Sequence, residues 1–84
     1  MKVFKQELKI DKNISQEVTC NKLLTAKIID GKLFVWFEFN DEDGSLNYNF
    51  SLIAITSGQS IPSTHRLYFK TVFNDDGHLY HLYH

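Results

Sequence analysis

The sequence predicts an all-β domain, a small antiparallel sandwich or partly open barrel of about six or seven strands. Three observations carry that expectation. Apolar and polar residues alternate over most of the chain at the period of two that a half-buried strand requires. Turn residues punctuate the alternating stretches and place hairpins at Asp30-Gly31 and Asp75-Gly77. The one helical competitor, Ser15 to Lys27, contains the β-branched Val18, Thr19 and Thr25 and is interrupted by Asn21, so it reads better as strand.

In order along the chain, Lys2 to Ile10 is the first strand, with Phe4, Gln6, Leu8 and Ile10 on one face and Val3, Lys5, Glu7 and Lys9 on the other. Asp11-Lys12-Asn13 breaks it, and Ile14 to Thr19 supplies a short second strand. Leu23 to Ile29 then enters the Asp30-Gly31 turn, whose residues both tolerate positive φ, and returns as Lys32 to Asn40. This returning arm holds the only tryptophan, with Leu33, Val35, Phe37 and Phe39 on one face and Phe34, Trp36 and Glu38 on the other. Its centre is apolar on both sides. Such a strand lies between two layers or presents one face to another molecule.

Asn40 to Ser45 is an acidic loop in which an EF-hand register would put Phe39 and Phe50 at ligand positions, so a solvated turn is expected instead. Leu46 to Thr56 alternates as a strand, with Tyr48, Phe50, Leu52 and Ala54 on one face; the other changes from Asn47, Asn49 and Ser51 to Ile53 and Ile55. A loop rich in small and hydroxyl residues, Ser57 to Thr64, follows. Arg66 to Phe73 is expected as a strand with Leu67, Phe69, Thr71 and Phe73 on one face and Arg66, Tyr68, Lys70 and Val72 on the other. His78 to Tyr83 returns as its antiparallel partner.

A chain of 84 residues is one domain, 1–84, and one this small buries only roughly 60–65% of the surface its unfolded form exposes. Twelve aromatic residues are a heavy load for so small a core, which places some of them at a surface used for association. Cys20 is the only cysteine; it fits a reducing compartment and excludes an intramolecular disulfide. No apolar run is long enough to cross a membrane, and the expected location is the cytoplasm. The net charge of −1 divides unevenly: residues 1–33 hold seven lysines and four acids, while the remainder is acidic. Scattered lysines and the single Arg66 are too sparse for a nucleic-acid footprint, so that class of partner is not expected.

Few residues invite chemistry. On a strand, His78 and His81 fall on opposite faces, and His78 and His84 are about 20 Å apart, too far for one ion. No metal and no cofactor are expected. His81 could serve as a general base or ligand contact beside Thr71 and the Ser57 loop, but a hydrogen bond to a neighbouring hydroxyl or carboxylate is the simpler role. A serine or threonine hydrolase would also need a positioned acid and an oxyanion donor, and Asp75 and Asp76 lie at a hairpin tip. Phe34, Trp36 and Tyr80 could form a stacking platform with Lys27, Lys70 and Arg66 nearby; core packing or a subunit interface is the competing and favoured use.

Several short motifs in fixed order, Lys5-Gln6-Glu7-Leu8-Lys9-Ile10, Gly31 to Trp36, Ser57-Gly58-Gln59-Ser60-Ile61, Lys70-Thr71-Val72 and Tyr80-His81-Leu82-Tyr83, span nearly the whole chain. Their order resembles a family of small uncharacterised all-β proteins from bacteriophages and bacteria, a domain of unknown function. The resemblance implies a phage or prophage accessory setting, hence host-cell cytoplasm, and supplies no reaction. The expected function is therefore non-enzymatic: binding to a host or phage protein, with antagonism of a host process or defence as one form of it, as a homodimer joined through aromatic strand faces. The alternative is a binder of a small anionic, nucleotide-like ligand that uses the Thr56-Ser63 loop, Thr71 and His81. The residues named for binding are Phe34, Trp36, Ser57, Gly58, Thr71 and His81.

Overall fold

The computed structural model describes residues 1–10 and 14–84, so the expected break at Asp11-Lys12-Asn13 lies outside the described residues. Seven strands follow in order: β1 (Lys2–Leu8), β2 (Gln16–Cys20), β3 (Lys22–Ile29), β4 (Lys32–Phe39), β5 (Tyr48–Ile55), β6 (Tyr68–Phe73) and β7 (Leu79–Tyr83). They form two antiparallel sheets, β1-β4-β3 and β2-β5-β7-β6. Among the described residues the only helical piece is one 3-10 turn, Gly44–Leu46. The sandwich is realised and the barrel is not, because no backbone ladder among the described residues joins the two sheets.

The chain passes between sheets at Asn21, where β2 of the larger sheet bends directly into β3 of the smaller. Two bonds hold the corner. The Asn21 backbone N–H donates to the Glu38 carbonyl at 2.8 Å, and its side-chain amide donates to the Leu46 carbonyl at 2.8 Å. Asp30 and Gly31 then close the β3–β4 hairpin with φ of 53° and 75°, the pair of positive values that matches the strands' twist.

Strand β4 is central in its sheet, and its inward row of Leu33, Val35 and Phe37 packs against Leu8 and Ala26 beside it and Val18, Cys20, Leu52, Val72 and Leu82 opposite. At roughly 1.5–3 kcal/mol per buried apolar side chain, that row alone rivals the net stability of a small domain. Cys20 lies in this core as a small apolar residue, and burial pushes its thiol pKa up.

Two β-bulges break the alternation that the sequence suggests. In β3 the pairing slips between Leu23 and Thr25, which turns Leu24 outward. In β6 it slips between Tyr68 and Lys70; Phe69 packs on the core together with Val72, while Phe73 is 72% exposed. Phe69, Thr71 and Phe73 therefore do not share a face. β1 also ends earlier than expected, at Leu8, because the N–H and carbonyl of Lys9 bond to the side chain of Gln16 at 2.8 Å each. With the Gln6 side chain donating to the Glu17 carbonyl at 3.1 Å, these glutamines close the seam between the edges of β1 and β2.

The outer face of the larger sheet carries Ser51, Ile53 and Ile55, and the two isoleucines are buried outside the main core cluster. The 56–67 loop lies over the β5 side of this face, where His65 Nε2 is 3.2 Å from Ser51 Oγ, and Ile61, Pro62, Ser63 and Arg66 line a groove with Tyr83. Its end is tied by reciprocal Leu67–His84 backbone bonds of 2.9 and 2.8 Å. The polar-to-apolar change along β5 is thus the boundary of a loop cover.

Gly31→Val should lower unfolding free energy by about 1–2 kcal/mol, since a β-branched residue resists the left-handed region. Urea denaturation with an unchanged m-value and a lower midpoint is the expected result.

Candidate functional site

Residues paired across antiparallel strands point to the same side, so the registers of β1, β4 and β3 define the outer face of the smaller sheet row by row. Val3, Glu38 and Lys22 form one row; Lys5, Trp36 and Thr25 the next; then Glu7, Phe34 and Lys27; and finally Lys32 with Ile29. Trp36 and Phe34 stand in the middle, with ring centroids 6.2 Å apart and planes tilted by 54°. Neither belongs to the core cluster. Both are half-buried, and beside them Val3 is 61% and the bulged Leu24 37% exposed. Val3, Leu24, Thr25, Ala26, Lys27 and Trp36 line a shallow groove of about 420 Å³. An apolar centre with a charged rim is the anatomy of a protein interface.

The other expected site residues lie elsewhere. Thr71 and His81 are cross-strand neighbours on the outer face of the larger sheet, with Thr71 Oγ1 2.9 Å from His81 Nδ1 and 2.7 Å from the Tyr68 hydroxyl. The threonine hydroxyl is thus engaged twice. Ser57 lines a separate groove with Thr56, Gly77, His78, Leu79 and Tyr80, and Gly58 occupies a left-handed position, φ 86°, in the same turn. The structure joins Phe34 with Trp36 and Thr71 with His81; it does not bring Ser57 or Gly58 into either pair. Tyr80 packs on the core and is not part of the Phe34–Trp36 platform.

The histidines near the end of the chain meet three environments. His78 binds Asp76 Oδ2 at 2.9 Å within its own turn, and the His78 backbone N–H and then its ring hold the Asp76 carboxyl below the usual carboxylate range. His81 sits beside Thr71, and His84 packs edge-on to Phe50 at 5.3 Å. The acidic loop has its own internal use. Asp43 Oδ1 accepts from the Ser45 N–H and hydroxyl at 3.0 and 2.6 Å, while Asp41 pairs with Lys2 at 3.4 Å.

His65 is the residue that sequence reasoning missed. It is 7% exposed, the one buried polar residue among those described. Its Nδ1 is 2.9 Å from Thr64 Oγ1, and its Nε2 is 2.9 Å from Ser15 Oγ and 3.2 Å from Ser51 Oγ. Hydroxyls donate or accept, so either neutral tautomer is satisfied. The hydroxyl-rich loop was the only sequence signal, because Ser15 and Ser51 are distant in the chain. The ring fastens the 56–67 loop to β5 and to the segment entering β2, which is a structural task.

The described residues define a class: a two-sheet all-β domain in which a loop covers the β5 side of one outer face, Tyr68 and Phe73 stay exposed on its β6 side, and the outer face of the smaller sheet has no loop over it. The chain belongs to the family described as Domain of unknown function (DUF7352), which matches residues 1–84. No curated protein and no solved structure matches it. No helix is long and apolar enough to cross a membrane, among the described residues.

His65→Ala should cost about 1–3 kcal/mol and speed tryptic cleavage after Arg66 by about ten-fold or more, as the loop loses its fastening. Limited proteolysis beside a denaturation curve checks both; unchanged cleavage would remove the fastening role.

Proposed function

We propose that the chain is a non-enzymatic accessory protein, of phage or prophage setting as the sequence resemblance implies, that binds a host or phage protein through the outer face of β1, β4 and β3. One observation carries this reading: the only tryptophan and Phe34 occupy the centre of a sheet face that the described chain leaves uncovered. Antagonism of a host process or defence is the role we attach to that binding. Self-association through this face alone is less favoured. Lysines outnumber acids on the face, Lys5, Lys22, Lys27 and Lys32 against Glu7 and Glu38, so a two-fold contact between copies would set like charge against like.

A small anionic ligand is the second reading, favoured by one groove of about 300 Å³ between β3 and β6 whose lining includes Lys27, Lys70 and Thr71, with Asp75 as the one acid among them. It needs neither Ser57 nor His81 as a direct contact. A thermal-shift screen of nucleotides should give no stabilisation under the first reading; a shift abolished by Lys27→Ala and Lys70→Ala would favour the second.

Trp36→Ala should weaken capture of the partner from infected-cell extract by at least about thirty-fold, the loss of a central anchor worth about 2 kcal/mol. Its unfolding midpoint should stay near that of the parent. Sedimentation velocity at high micromolar concentration should show a monomer; a Trp36-dependent dimer would replace the heterologous partner by a second copy.

A further inference from the structure

We infer that the partner bound by this face is an acidic protein surface that presents an apolar side chain between carboxylates; the inference rests on the interaction reading above. The face carries Lys5, Lys22, Lys27 and Lys32 against Glu7 and Glu38, a net of two positive charges on a chain whose total is −1. Among the described residues the ion pairs join Met1 and Lys2 to Asp41 and His78 to Asp76, so none of these four lysines has a described carboxylate within salt-bridge distance, though Lys22 has Glu38 opposite it in the register. Lys27 lines the Val3, Leu24 and Trp36 groove, and Lys5 and Lys22 occupy the adjoining register positions, which gives an apolar side chain a seat and carboxylates on either side their counter-charges.

The same details disfavour a nucleic-acid strand. Lys5 Nζ already lies 4.9 Å above the Phe34 ring centroid, and the Phe34 and Trp36 planes are far from parallel, so two bases cannot stack on both. Glu7 and Glu38 alternate with the lysines along the face and would repel a continuous phosphate backbone. Discrete carboxylates can meet the lysines and avoid the glutamates. A phosphate chain cannot.

The test is a titration of the isotope-labelled full chain, followed by nuclear magnetic resonance, with three probes: a Glu-rich peptide with a central Phe, the same peptide with Gln in place of Glu, and oligothymidylate. The acidic peptide should move the Trp36 indole and the Lys5 and Lys27 amides, with affinity falling about ten-fold from about 50 to about 300 mM salt. The Gln peptide should bind about ten-fold more weakly, and Lys5→Glu with Lys27→Glu should abolish the preference while the rest of the spectrum stays folded. Equal binding of both peptides at Trp36 overturns the acidic partner but leaves the interaction face standing. Tighter binding of the oligonucleotide, or no shift with any probe, overturns the inference outright. Partner capture that survives Trp36→Ala overturns the face itself, and the inference with it.

Discussion

A single layer of side chains holds this domain together. Leu33, Val35 and Phe37 from β4 meet Val18, Leu52, Val72 and Leu82 from the larger sheet, and each strand is placed by its need to reach that layer. A chain of 84 residues can form one such layer and little more. Everything outside it is managed by local devices. Gln6 and Gln16 satisfy backbone groups at the β1–β2 seam, a loop covers Ile53 and Ile55, and His65 fastens that loop through three hydroxyls.

The two outer faces therefore differ for a physical reason. On the larger sheet the loop buries Ile53 and Ile55 but leaves Tyr68 and Phe73 exposed, whereas the smaller sheet has no such loop, and there Trp36 and Phe34 are half-buried beside the exposed Val3 and Leu24. Exposed apolar area of this kind is a standing cost in water unless a partner removes it. On the proposed reading, the lysines around it limit self-association by like-charge repulsion and favour a complementary surface. Stability and recognition are then separated, with one face of β4 building the core and the other binding.

The His81–Thr71–Tyr68 chain and the His65 cluster are polar networks of the sort that can suggest catalysis. Their geometry points to structural work. Thr71 is bonded on both sides, and the hydroxyls around His65 connect segments that otherwise have little apolar contact with the core. In a domain with so small a core, satisfied polar contacts give a loop one defined position that hydrophobic packing alone would leave loose.

Much of the fold was legible in the residue order. The Asp30-Gly31 turn, the inward row of β4, the all-β class and the two-faced character of the Trp36 strand follow from period and turn chemistry, which are local. The faces of β6 were not, because a bulge shifts Phe69 inward and leaves Phe73 outside, and a bulge has no fixed residue signature. The candidate face was legible only as an alternative: sequence offered Phe34 and Trp36 either a second layer or a second molecule. Which side is covered depends on where the 56–67 loop lands, and His65 finds Ser15 and Ser51 only when distant strands have paired. Sequence by itself determined which residues could be buried; the tertiary structure decided which face of β4 was, since burial is a property of the assembled layers.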